Sequence, residues 1–267
     1  MYGVGFGIGA IGATTILNSG GGFSARTNAF KNATGITDVT ILNALNTFDL
    51  GLISNGLDSK LIALYPFVGG SASSHKYNFL DARDSDAAFR LVFNGGWTHS
   101  STGALPNGTN AYIDSNISPS ETTYTDFSYG DYVRTNSDGV YAEFGLSNAN
   151  VYIYSRLGNE SLLRYAGAEN STSTTDSKGF QVISQKSNVL NYYRGTTQLI
   201  NSSNTPTDIS ANTNNFFLSA RNVSGSAAQF SNREKSFAFF GRGLTSTQVT
   251  NLYNLVQTMQ TSLSRNV

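Results

Sequence analysis

The period of the hydrophobic and polar positions changes along the chain. In residues 1–24, Gly3, Gly5, Gly7 and Gly9 alternate with Val4, Phe6, Ile8 and Ala10, and Gly20, Gly21 and Gly22 come after them. A period of two belongs to extended backbone, and glycine on one face admits another backbone closely. The segment reads either as an arm that docks Tyr2, Val4, Phe6, Ile8 and Ile11 on a partner or as a flexible terminus. Ile41, Leu42, Leu45, Phe48, Leu52 and Ile53 then recur at three- and four-residue spacing behind Asp38, a helix N-cap residue. Asn55-Gly56 ends that helix, and Leu57, Leu61, Ile62 and Leu64 predict a second short one before Tyr65-Pro66. Residues 37–64 therefore form a helical segment, either a neck or a layer padding one face of the C-terminal β-domain. From Ala88 onward short alternating runs appear at 89–93, 110–114, 127–134, 140–146, 150–156, 161–166, 179–185, 188–194, 215–220 and 235–240. Turn signals such as Asp138-Gly139 and Asn222 to Gly225 separate them. Regularly spaced short strands predict an antiparallel β-sandwich or jelly roll.

The C-terminus carries the strongest local signal. Thr245-Ser246-Thr247-Gln248 fits a capping box, with Leu244 and Val249 as its hydrophobic staple. Val249, Leu252, Tyr253, Val256, Met259 and Leu263 line one face of a helix at about 246–263. Burying that stripe contributes roughly 1.5–3 kcal/mol per large side chain, more than a cap worth about 1 kcal/mol, so the helix is predicted to close tightly on the sandwich.

Composition narrows the class. Of 267 residues, 34 are Ser, 27 Thr and 28 Asn, whereas charged residues are only 13%. Uncharged polar residues on this scale suit the strand faces and turns of rigid extracellular or viral structural proteins. Lys and Arg number 17, as do Asp and Glu, so the net charge is zero, which argues against a nucleic-acid or anionic-membrane binder. With no cysteine, disulfides, thiolate catalysis and Cys-ligated zinc are excluded. The 17 Phe and 14 Tyr predict an aromatic core. No apolar run is long enough for a membrane helix, and the first basic residue is Arg26, so no secretory signal is expected.

Phe237-Ala238-Phe239-Phe240-Gly241-Arg242-Gly243-Leu244-Thr245-Ser246, followed by Leu252-Tyr253 and Leu263-Ser264-Arg265, resembles the closing strand and helix of concanavalin A-like (laminin G-like) jelly-roll domains of tailed-phage virion proteins. Ile62-Ala63-Leu64-Tyr65-Pro66-Phe67, Asp86-Ala87-Ala88-Phe89-Arg90, Asn94-Gly95-Gly96-Trp97-Thr98-His99 and Leu105-Pro106-Asn107-Gly108-Thr109-Asn110 with Tyr112 resemble that group in the same order. The resemblance spans about residues 60–267. It implies a jelly roll at 65–267, a Gly-rich docking arm at 1–36, and a place on a phage head fibre, tail fibre or capsid appendage, with a trimer as the usual fibre symmetry.

Catalytic signatures are missing from this frame. Glycan-cleaving relatives of the fold use Glu-x-Asp-x-x-Glu or Glu-x-Asp-x-Glu, which sets carboxylates on one strand face. None of Glu121, Glu143, Glu160, Glu169 and Glu234 has an Asp two residues on. The only histidines are His75, in a polar loop, and His99, which follows Trp97 in a Gly-rich turn; both read as structural hydrogen-bonders, and no Gly-x-Ser-x-Gly elbow occurs. Gly7, Gly9 and Gly12 match Gly-x-Gly-x-x-Gly only as a by-product of the arm. No catalytic residue is assigned. Asp81, Asp84 and Asp86 form a weak calcium candidate, opposed by a reading in which they cap backbone and pair with Arg83 and Arg90. Trp97 with His99, and Tyr192-Tyr193 with Arg194, are candidate sugar platforms or else packing residues.

The expectation is a non-enzymatic virion protein, made in the host cytoplasm and carried on the virion surface. Its arm would bind capsid, portal or tail proteins, and its homotrimeric heads would bind host-surface glycans. A capsid decoration protein without a glycan site, a secreted carbohydrate-binding module and a depolymerase are the alternatives.

Overall fold

Lys235–Gly241 is a seven-residue strand buried at every position. Phe237 and Phe239 face a layer of helices, while Ala238 and Phe240 face a second sheet. A strand covered on both sides reads as a continuous apolar run rather than an alternation, and here it marks the middle of three layers.

The computed structural model describes residues 22–167 and 169–267. The proposed docking residues Tyr2, Val4, Phe6, Ile8 and Ile11, and the Gly7-Gly9-Gly12 pattern, lie outside the described residues. In chain order the elements are α1 (Ala25–Thr34), α2 (Val39–Ser54), β1 (Leu61–Tyr65), the single turn α3 (Ala72–His75), β2 (Val92–Asn94), β3 (Trp97–Ser100), β4 (Gly103–Pro106), β5 (Tyr112–Asp114), β6 (Asp126–Val133), β7 (Phe144–Leu146), β8 (Val151–Leu157), β9 (Glu160–Tyr165), β10 (Glu169–Ser173), β11 (Gly179–Lys186), β12 (Val189–Arg194), β13 (Thr197–Ser203), β14 (Phe217–Leu218), β15 (Arg221–Val223), β16 (Ser226–Ala228), β17 (Lys235–Gly241) and α4 (Ser246–Ser262).

One sheet runs β13-β12-β11-β6-β17-β4-β3, with β1 also on β17. The other runs β10-β9-β8-β7-β14-β5-β2, with β15 on β7 and β16 on β15. The strand pairs are antiparallel, apart from the single contact of Asn222 with Leu146 between β15 and β7. The expected antiparallel sandwich is therefore the fold. Its interior is aromatic: Tyr129 stacks on Phe144 at 4.2 Å, and Phe127 on Tyr165 at 5.2 Å.

The helices cover the outer face of the first sheet. Leu42, Leu45, Phe48 and Leu52 of α2 and Val249, Leu252, Val256 and Met259 of α4 enclose Phe237 and Phe239. Asp38 caps α2 through the Thr40 and Ile41 amides. The Thr245–Gln248 capping box forms reciprocally at the start of α4. Among the described residues no helix is long and apolar enough to cross a membrane.

Two expectations change. Residues 61–65 are not the second helix of a neck but strand β1, with Leu64 opposite Phe239 and Tyr65 opposite Ala238. Leu64 faces the helices while Ala63 and Tyr65 face the interior; this two-sided burial erases the alternation and mimics helical spacing. The interval assigned to the arm contains helix α1, capped by Ser24 and packed through buried Phe30 against Phe79. Residues 25–54 thus form a layer on the sandwich.

The stripe of α4, more than its cap, holds the layer. Thr245→Ala should lower the unfolding free energy by about 1 kcal/mol and Leu252→Ala by about 2–5 kcal/mol, both read from urea unfolding. The reverse order would mean that α4 is held by its end.

Candidate functional site

The space between the sheets holds four charges with no solvent exposure: Asp131, Glu143, Arg233 and Lys235. Lys235 Nζ lies 2.5 Å from both Asp131 Oδ2 and Glu143 Oε2. Arg233 Nη1 lies 2.5 Å from Glu143 Oε1 and donates its remaining N–H groups to the Ser137, Tyr141 and Arg156 carbonyls. Gln181 donates to Asp131 Oδ1 at 2.7 Å and to Ser155 Oγ at 2.6 Å, and Tyr192 donates to Gln181 Oε1 at 2.9 Å. Burial lowers the proton affinity of the Lys235 ammonium, but the two carboxylates more than reverse this and leave it raised. Burial likewise opposes ionisation of Glu143, and Lys235 with Arg233 overcomes it; for Asp131 burial prevails and its affinity is raised. Two carboxylates sharing one sealed ammonium cannot reach a substrate, so this pair does not form a glycosidase cleft of the kind that two carboxylates require. Sequence spacing misses the network because its members come from β6, the residue before β7, and the stretch that leads into β17. The available signal is Arg233, Glu234 and Lys235 running directly into the apolar Phe237–Phe240 strand.

The structure brings Trp97 and His99 together on β3 and adds three rings that sequence spacing does not join to them. The Trp97 and His99 rings stack at 6.2 Å, Phe93 meets both edge-on at 5.2 and 4.7 Å, and Phe67 meets Phe93 and His75 at 6.5 and 5.7 Å. His75 sits on α3, nearly fully buried, rather than in an open polar loop. Its Nδ1 lies 2.9 Å from His99 Nδ1, so one neutral ring donates and the other accepts. Its Nε2 is buried without a hydrogen-bond partner. Trp97 is partly exposed and donates Nε1–H to the Asn94 carbonyl at 2.8 Å.

Tyr192, Tyr193 and Arg194 do not form a second platform. Tyr192 lies in the inter-sheet core and Tyr193 in the helix-facing core, so neither ring has an open face. Arg194 donates to the Ser155 carbonyl, Ser161 Oγ and the Lys178 carbonyl. Asp81, Asp84 and Asp86 do not converge. Asp81 binds Arg83, Asp84 binds Lys76 and Arg90, and Asp86 binds Arg90. Among the described residues no three His, Cys, Asp or Glu side chains group as metal ligands.

No protein-family model and no curated protein matches this sequence. Solved structures share the fold. A mutant of Trypanosoma rangeli sialidase displaying trans-sialidase activity aligns with a TM-score of 0.55 at 11% identity, over 80% of this chain and 39% of that one. Trypanosoma rangeli sialidase in complex with sialic acid aligns with a TM-score of 0.53 at 12% identity, over 72% and 32%. The receptor binding domain of a botulinum neurotoxin C/D mosaic serotype aligns with a TM-score of 0.50 at 9% identity, over 74% and 51%. The chain spans between about a third and a half of these three proteins. At such identity the likeness shows the β-sandwich fold alone.

The histidine pair makes stability pH-dependent. Burial first, then His99 and Arg265, lower His75 from 6.5 to about 3. The unfolded chain takes up this proton near pH 6.5 and the folded chain only near 3. The stabilisation from neutral His75 is complete above pH 6.5 and is lost at about 1.4 kcal/mol per pH unit below it. His75→Leu should flatten urea stability between pH 6.5 and 4.5 by about that slope; a slope equal to the parent's would rule this out.

Proposed function

We propose that this chain is a non-enzymatic virion structural protein of the phage fibre or appendage type, made in the host cytoplasm and carried on the particle surface. Its Gly-rich arm, with Tyr2, Val4, Phe6, Ile8 and Ile11, anchors it to capsid, portal or tail proteins. Its sandwich, in a homotrimer, presents lectin-like heads to host-surface glycans. The observation that carries the binding half is the sandwich itself, a fold it shares with a sialidase and with a toxin's receptor binding domain. The sealed Asp131–Lys235–Glu143 contact supports binding without cleavage. The particle half is supported by the resemblance of residues 60–267 to phage jelly rolls and by a composition rich in Ser, Thr and Asn and poor in charged residues.

Trp97 and His99 are the first platform for a sugar ring: the indole is partly exposed, and its edge is fixed by Phe93 and the Asn94 carbonyl. Several such heads on one particle convert weak single contacts into adhesion.

The full chain on a glycan array should bind a subset of glycans without releasing reducing sugar, and Trp97→Ala should weaken that binding. Absence of binding favours the decoration reading, and sugar release favours a depolymerase. Light scattering should give a trimer for the full chain. Truncation belongs after residue 21, because helix α1 is part of the packed body. A monomeric full chain would refute the self-assembling fibre.

A further inference from the structure

Beside the start of β8 and the end of β9, far in sequence from Trp97, three chain segments line a hollow of about 400 Å³. Ala149, Ala166 and Ile209 are buried and line it, giving an apolar floor. Asn148, Asn150, Arg164, Thr207, Asp208 and Asn212 supply its polar wall. The segments are tied to one another by backbone bonds. Ala166 N donates to the Asn150 carbonyl at 3.0 Å, Thr207 N to the Ala166 carbonyl at 2.6 Å, and Asn212 N to the Ile209 carbonyl at 3.0 Å. The hollow is thus preformed, which reduces the ordering cost of binding.

The polar groups are partly committed, and in a consistent sense. Asn148 Oδ1 accepts from Ser224 Oγ at 3.1 Å and Asn212 Oδ1 from the Asn214 amide at 3.0 Å, which keeps both NH₂ groups as donors. The Asp208 carboxylate accepts from the Ser210 amide at 2.9 Å and from the Ser210 side chain, and keeps further lone pairs for a ligand hydroxyl. Arg164 donates Nε–H to the Gly167 carbonyl at 3.2 Å and also contacts the hydroxyl of Tyr152, which donates to Glu169, the residue opposite Arg164 on β10; among the described residues no carboxylate lies within ion-pair distance of the guanidinium. A planar guanidinium with no ion pair of its own can take a ligand carboxylate bidentately. Amide donors and a carboxylate acceptor suit vicinal hydroxyls, each of which both donates and accepts. A small-residue apolar floor suits the C–H face of a sugar ring.

We infer that this hollow is a binding site for an acidic sugar, a pyranose carrying a carboxylate that Arg164 takes while Asp208 and the asparagine amides take its hydroxyls. The assignment goes beyond the Trp97 platform and does not depend on it. Saturation-transfer NMR titrations of the full chain with glucuronate, N-acetylneuraminate, glucose and inorganic phosphate test it. An acidic sugar should bind in preference to glucose and phosphate. Arg164→Gln should weaken that binding about tenfold or more, the scale of a lost charge-assisted contact, and Asp208→Asn should weaken it with the melting temperature unchanged. Equal binding of acidic sugar and glucose, equal binding of phosphate (a simple anion site), variants that bind like the parent, or no binding of either acidic sugar would each overturn the assignment. A chain that binds array glycans yet fails these titrations would lose this site and keep the lectin reading.

Discussion

Lys235 stands at the start of the central strand, and its ammonium lies between a carboxylate from each sheet. Asp131 belongs to β6 of the same sheet, and Glu143 immediately precedes β7 of the opposite one. In water such a contact is worth little. Between two aromatic sheets each ion would be strongly destabilised alone, so each is tolerated only because the other three are in place. Gly103 lets the β3–β4 hairpin close over this point: at φ +149 it has no Cβ, and one would sit 2.2 Å from the Lys235 carbonyl. The sheets are held in one register by a polar contact that admits few alternatives, while aromatic packing supplies most of the area.

This division of labour bears on function. Asp131, Glu143, Arg233 and Lys235 neutralise one another in the interior. The outer surface carries amides and hydroxyls, exposed ion pairs such as Arg83–Asp81, and partly exposed rings such as Trp97. Glycoside hydrolysis by the two-carboxylate route needs a pair that reaches one cleft, which the buried Asp131 and Glu143 do not. Helices α1, α2 and α4 cover the face of the first sheet opposite the second, so that face is closed to a ligand.

Much of this is legible locally. Helix α4 is visible because its capping box and apolar stripe are short-range patterns, and β6, β11, β12 and β17 because their runs are apolar and bounded by turns. Strands β10 and β13 are not, since they lie at sheet edges and are mostly polar; β10 reads Glu-Asn-Ser-Thr-Ser. Strand β1 passes for a helix because two covered faces remove the alternation that distinguishes strand from helix. Among the site residues, Trp97 and His99 share a strand and stand out together. His75 lies 24 residues before His99 and reaches it only through the tertiary fold. Tyr192 and Tyr193 look like a platform because an exposed aromatic pair and a strand buried on both faces have the same sequence. The Arg164–Asp208 hollow draws on three separated segments and has no local signature.

The most direct test of the account is equilibrium urea unfolding of Lys235→Met. Removing the ammonium while keeping its volume leaves Asp131 and Glu143 facing each other in a dry interior. The account predicts a loss of about 3–5 kcal/mol of stability; a loss below about 1 kcal/mol would mean that the buried charges do not hold the two sheets together.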